Sequence, residues 1–109
     1  MIYLASPYTH PDLAVRELRF KQACQYVGNM LKKGIHVFSP IVYTHPITIE
    51  CALPTVWSFW ANLDQDFLLC CDKVQVLTLE GWRESAGIES EINAAKRLGI
   101  PIEYVEPIV

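Results

Sequence analysis

Two acidic residues stand on the wrong face of the helices that surround them. Between Ala86 and Leu98 the spacing predicts a helix. At about 100° per residue, Ile88, Ile92, Ala95 and Leu98 share one arc, with Glu89, Asn93, Lys96 and Arg97 opposite. Glu91 falls inside the apolar arc. A helical side chain leans toward the preceding turn, so Glu91 covers the position of Gly87, which has no side chain to fill the space. From Val56 to Cys71 the same test places Trp57, Trp60, Leu63, Phe67 and Cys71 on one arc. Asp64 lies within it, and Asp66 points away. A buried carboxylate is costly unless it gains donors, shifts its pKa or does chemistry. Each acid alone also has a structural account: the helix dipole for Glu91, a buried backbone group or Trp nitrogen for Asp64. Together they have the residue types that glycosyl transfer needs, one to attack or stabilise the anomeric carbon and one to protonate the leaving group.

The elements that must bring the two acids together follow from local pattern. Ile2 to Ala5 is a short apolar run stopped by Ser6-Pro7, as suits a strand buried on both faces. Apolar residues between about Asp12 and Lys33 recur at helical steps and end at Gly34. Ile35 to Phe38 is a second strand, and Val74 to Leu79 a third. The fourth is Pro101 to Val105. The stretch from Ile41 to Pro54 has no clear period and carries Pro46 and Pro54, so it reads as a long loop covering a site. The alternation predicts an α/β fold, a flavodoxin- or Rossmann-like three-layer sandwich whose four-stranded parallel sheet has the order 2-1-3-4. Ligands of such sheets bind beyond the carboxyl ends of the strands, where the order reverses. That rule points to Ser6, Pro7 and Tyr8, to the segment from Ser39 to His45, and to the segment from Glu80 to Gly87.

Several of these residues have chemistry to offer a ligand. Ser85 stands at the predicted N-cap of the last helix, where free N–H groups favour anions, although capping alone explains it equally well. Ser6 is placed to assist. Tyr8 and Trp82 offer stacking faces for a base, and His10 and His45 fall in the predicted mouth loops. His36 reads as structural.

The chain has 109 residues, 51% of them apolar, which is enough for one domain spanning residues 1–109. Its net charge of −3, with nine scattered Lys and Arg, argues against a nucleic-acid polymer as ligand. The sequence shows no signal-peptide pattern and no apolar stretch of the length that spans a bilayer, so a cytoplasmic protein with no membrane partner is expected. Cys24, Cys51, Cys70 and Cys71 form no metal-like spacing with the three histidines. No metal and no cofactor are expected.

Ile2-Tyr3-Leu4, Asp64, Asp72 and Ser85-x-Gly87-x-x-x-Glu91 resemble the pattern of nucleoside 2-deoxyribosyltransferases and their nucleotide N-glycosidase relatives, over nearly the whole chain. The resemblance implies that Glu91 attacks C1′ of the sugar, that Tyr3 orients it, and that Asp64 handles the base. Where nucleotide-hydrolysing relatives carry an Arg and glycines after the first strand, this chain has Ser6-Pro7-Tyr8-Thr9-His10. The expected partner is a small nucleoside or nucleotide, with Ser6, Pro7, Tyr8, His45, Trp82, Ser85 and Gly87 as binding residues. Two other readings stay open. One is a non-catalytic nucleotide-sensing module, and the other a phosphoribohydrolase or NAD-cleaving enzyme, although the Pro-Gly-Gly signature of the phosphoribohydrolases does not occur here. Phe59 and Leu69 lie off the apolar arc of their helix, which predicts a homo-oligomer with that helix in the interface.

Overall fold

A computed structural model of the chain describes residues 1–108. Val109, the last residue of the predicted domain, lies outside the described residues. The elements run β1 (Ile2–Ala5), α1 (Leu13–Lys32), β2 (Val37–Phe38), α2 (Pro40–Cys51), α3 (Trp57–Leu69), β3 (Lys73–Leu77), a 3₁₀ turn (Trp82–Glu84), α4 (Ala86–Leu98) and β4 (Ile102–Val105). The strands form one sheet in the order β2-β1-β3-β4, every pair parallel. Tyr3 of β1 pairs with Phe38 on one side and Val74 on the other.

Strand pleating sends alternate residues to opposite faces, and each face builds its own core. Tyr3, Ala5, Val74 and Val76 pack with Leu68 of α3 and Ile88, Ala94 and Ala95 of α4. Leu4 and Leu77 point the other way, to Tyr26 of α1. The result is three layers, with α1 below the sheet and α3 and α4 above it. Burial on both sides explains why the strands read as apolar runs.

Helix ends are set by local chemistry. Asp12 caps α1, its side chain accepting from the Ala14 N–H at 2.9 Å, and Ser85 caps α4 by accepting from Ile88 N–H at 3.2 Å. Gly99 closes α4 in the left-handed region at φ 71°, a conformation that favours glycine.

The expected loop from Ile41 to Pro54 is instead mostly the helix α2. Ser39 caps it, accepting from Val42 N–H at 3.2 Å, and Pro40 supplies the fixed φ that suits a first helical position. Pattern reading misses it because its burial is inverted. Thr44, His45 and Thr48 face inward while Tyr43, Ile47 and Ile49 are exposed. Pro46, inside the helix, adds a second misleading signal. Strand two is also shorter than expected, since Ile35 and His36 precede it and are exposed.

Beneath the sheet, Gln75 of the central strand β3 is buried and bound by two partners. Tyr26 Oη donates to its Oε1 at 2.6 Å, and its Nε2 donates to Glu103 Oε1 at 3.1 Å. Tyr26→Phe would leave the amide oxygen buried without a donor. It is expected to cost about 1–3 kcal/mol in urea unfolding, with little change in m-value. Glu103→Gln, at an exposed position that can still accept, is expected to cost less than half as much.

Candidate active site

The crossovers leave β1 and β3 in opposite directions, and at their carboxyl ends the connecting segments part to form a cavity of about 350 Å³. The segment after β1 contributes Ser6, Tyr8 and Thr9, and the first turns of α2 contribute Pro40, Ile41 and Thr44. Thr55, Val56, Trp57, Trp60 and Asp64 come from α3 and its approach, and Glu84 to Gly87 with Glu91 from α4 and its approach. Apolar walls with a few convergent polar groups are the usual form of a small-molecule site.

Both inward acids reach this space. Glu91 is densely surrounded by protein yet keeps part of its surface open, because that surface faces the cavity. Burial pushes its carboxyl up to about 8, and the charge of Asp64 adds to the rise. The phenol of Tyr3 offsets part of the effect. It lies near enough to favour the carboxylate, yet its hydroxyl makes no formed hydrogen bond among the described residues. Asp64 is raised to about 6 by burial. Its neighbour Asp66 is exposed, so the helix phase read from the sequence separates the two acids correctly. Tyr3 is fully buried beneath the cavity, its phenol held well above its ordinary value by burial and then by the charges of Glu91 and Asp64.

The side-chain polar atoms buried without a partner gather in this region. Among the described residues they are Tyr3 Oη, Ser6 Oγ, Asp64 Oδ1 and, behind Tyr8, Arg16 Nε. Buried polar groups are nearly always paired, so a concentration of unpaired ones at a cavity marks a place where a ligand or solvent completes the bonding. Gly87 leaves room for it. A Cβ there would stand 3.3 Å from Trp57 Cδ1, pressing the indole that forms the opposite wall.

Ser6, Tyr8, Ser85 and Gly87 line the cavity, as the sequence reading expected. Three other expectations need correction. Pro7 is fully buried and is not among the lining residues, because its side chain is covered by protein on every side. His45 is not in a mouth loop but on α2, 3% exposed and covered by Tyr8 and Phe20. Trp82 packs against Tyr104 of β4 with ring centroids 5.5 Å apart and lines a separate shallow depression. Its 3₁₀ turn rotates it away from the cavity. His10, in the segment after β1, is not among the lining residues, and its Nδ1 accepts from the Asp12 N–H at 3.0 Å.

Sequence reading missed Trp57 and Trp60 as cavity walls, since an apolar arc does not reveal where a core ends and a pocket begins. Arg19 was also missed. Its guanidinium donates to the carbonyls of Thr9 at 3.1 Å and Glu80 at 3.2 Å, tying the segment after β1 to the segment after β3. It carries no pattern signal because its partners are backbone atoms distant in sequence. No group of three His, Cys, Asp or Glu converges as metal ligands among the described residues.

The chain matches, over residues 1–106, the family described as a domain of unknown function (DUF1937), and it belongs to that family. No curated protein matches it. Among the described residues no helix is long and apolar enough to cross a membrane.

The raised Glu91 carboxyl makes stability depend on pH with a definite sign. Between the ordinary 4.5 and about 8 the folded protein keeps a proton that the unfolded chain releases, so stability falls as pH rises through that window. Asp64 acts in the same direction between 3.8 and about 6. Glu91→Gln removes the larger contribution. It is expected to be more stable than wild type above pH 8, by on the order of a few kcal/mol, and nearly equal at pH 4.5. Thermal unfolding across that range checks this.

Proposed function

We propose that the protein cleaves or transfers at the N-glycosidic bond of a nucleoside or nucleoside 5′-monophosphate through a glycosyl-enzyme on Glu91. One observation carries the reading: two carboxyls from different helices, both raised by burial, meet at one cavity whose walls are indoles and a phenol. The aromatic walls suit a base, and the acids suit its sugar bond. The resemblance of Ser85-x-Gly87-x-x-x-Glu91 to the nucleoside 2-deoxyribosyltransferase pattern supports the same assignment.

In the first step a Glu91 carboxylate oxygen bonds to C1′ and the C1′–N bond breaks. Its electron pair passes to the base nitrogen, which takes the proton of Asp64. Water or a second base then displaces Glu91 from C1′, giving hydrolysis or exchange. Tyr3 beneath Glu91 orients the attacking oxygen, and Ser6 and Ser85 offer hydroxyls to the sugar or its phosphate.

The order of the two acids has a consequence. Between about 6 and about 8 the pair holds one proton, and the reaction needs it on Asp64 with Glu91 ionised. Positive charge growing at C1′ beside Glu91 favours that arrangement. The profile of kcat/KM is therefore expected to be a bell with limbs near 6 and 8 that belong to the pair. A panel of nucleosides and 5′-monophosphates, with and without a free acceptor base, tests the activity. Asp64→Asn is expected to lower the rate by about 10²–10⁴-fold, while Asp66→Asn leaves it within about 2-fold. No base release or exchange across the panel would overturn the reading. Tight nucleotide binding unaffected by Glu91→Gln would favour a sensing module.

A homo-oligomer is part of the proposal. Phe59 and Leu69 of α3 are 49% and 59% exposed, apolar surface that a second copy of the chain would cover. Leu69→Lys is expected to lower the sedimentation coefficient at micromolar concentration. The free thiols of Cys24, Cys51, Cys70 and Cys71 fit a cytoplasmic location.

A further inference from the structure

Behind the wall that Tyr8 makes lies a second set of titratable groups, which the glycosyl chemistry leaves unused. His45 is buried with its ring stacked on Phe20, centroids 4.5 Å apart, and edge-on to Tyr8. Its Nδ1 lies 2.6 Å from the Tyr8 hydroxyl, and its Nε2 lies 3.3 Å from Glu17 Oε1. The proton positions follow from the partners. Glu17 Oε1 stands at ion-pair distance from Nε2, outside hydrogen-bond alignment, and a carboxylate there favours the ring hydrogen on Nε2. In the neutral ring Nδ1 is then an acceptor, and the Tyr8 O–H donates to it.

Carboxylate, imidazole and hydroxyl in that order make up the arrangement by which a weakly acidic hydroxyl is readied to give up its proton. Three separate elements assemble it: Tyr8 from the segment after β1, Glu17 from α1 and His45 from α2. Tyr8 alone of the three lines the cavity. The inverted burial of α2 belongs to the same arrangement. That helix leaves Tyr43, Ile47 and Ile49 exposed while turning His45 inward, a loss of apolar burial that folding by itself does not require. Burial holds the Tyr8 phenol above its ordinary value; Arg16, which donates to the His10 carbonyl, offsets part of that rise, and the charge of Glu17 adds to it.

We propose that Glu17, His45 and Tyr8 form a proton relay opening on the cavity, with Tyr8 the group that exchanges a proton with the molecule bound there. The step it serves rests on the glycosidic reading. When water or an acceptor base displaces Glu91, the new bond to C1′ forms as the C1′–O bond to Glu91 breaks and its electron pair returns to the carboxylate. The proton lost by the incoming O–H or N–H passes to the Tyr8 oxygen, while the phenol's own proton moves to His45 Nδ1. The resulting imidazolium is stabilised by the Glu17 carboxylate and later returns the proton to solvent. Tyr8 is the catalytic residue of this set, and His45 and Glu17 position and poise it.

Nitrogen NMR on the full-length protein tests the hydrogen-bonded chain without any assay of turnover. In its neutral form the His45 ring, assigned by its loss in His45→Gln, is expected to carry its hydrogen on Nε2. Its Nδ1 shift is expected to move in Tyr8→Phe, which keeps the aromatic packing, and its Nε2 shift to move in Glu17→Gln, whose site is partly exposed and tolerates change. The opposite tautomer, or an Nδ1 shift unaltered by Tyr8→Phe, would overturn the relay. With a nucleoside that the wild type turns over, Tyr8→Phe is expected to lower kcat by about 10–100-fold with KM held within about 3-fold, and Glu17→Asp to recover activity that Glu17→Gln loses. Undiminished kcat in Tyr8→Phe would overturn it as well. A wild-type protein inactive on every nucleoside would overturn the glycosidic reading alone, and the nitrogen shifts would still decide whether the three groups are joined.

Discussion

A carboxyl group buried without a cationic partner has few ways to exist, and Glu91 uses the least common of them. It lies between the fully buried phenol of Tyr3 and the rim of a cavity, with Asp64 as its nearest charged neighbour. A basic side chain at that point would have lowered both acids and removed the need for a shared proton. With none there, burial raises both carboxyls, Glu91 the further. The site therefore works against the stability of the domain, and the rest of the fold must supply what it withdraws. The two cores on opposite faces of the sheet do so, with Tyr3 and Ala5 of β1 packed above and Leu4 below.

Parallel sheets concentrate polar demand at one edge, because every strand ends there and the chain must leave. In this domain the three connections after β1, β2 and β3 meet around the cavity, and each is restrained. Ser39 and Ser85 cap the helices that follow β2 and β3. The segment after β1 is held from below by Arg19, whose guanidinium bonds to its backbone and to the carbonyl of Glu80. Gly81, at φ 88°, takes up the left-handed conformation beside that contact. A Cβ there would come within 2.6 Å of Arg19 Nη2, so the glycine keeps the clamp closed. Rigid edges of this kind let two acids and a phenol from three elements keep a fixed arrangement.

The helix α2 departs from the pattern of an ordinary amphipathic helix. Ordinary amphipathic helices turn apolar residues inward, and α2 does the reverse at Thr44, His45 and Thr48. Its start is nonetheless well encoded, since Ser39-Pro40 is a strong N-terminal signal. What fails is the period. On its inner face Thr44 lines the cavity and His45 meets Tyr8, so two of the polar groups that break the period lie at or beside the site.

The amino-acid sequence by itself determined the parallel sheet and its order, because apolar runs alternating with helical periods leave few right-handed arrangements. It also determined the inward direction of Glu91 and Asp64. Helical phase is a local property, and an acid on an apolar arc is legible without any knowledge of its neighbours. Only the tertiary structure decided which groups meet. Pro7 and Trp82 share segments with true lining residues yet face elsewhere, because a single turn of backbone reverses a side chain. Trp57 and Trp60 became cavity walls, and His45 became the buried partner of Tyr8 and Glu17, through contacts between elements far apart in sequence. Such contacts depend on the angle and offset at which helices cross the sheet, and those are set by the packing of the whole core.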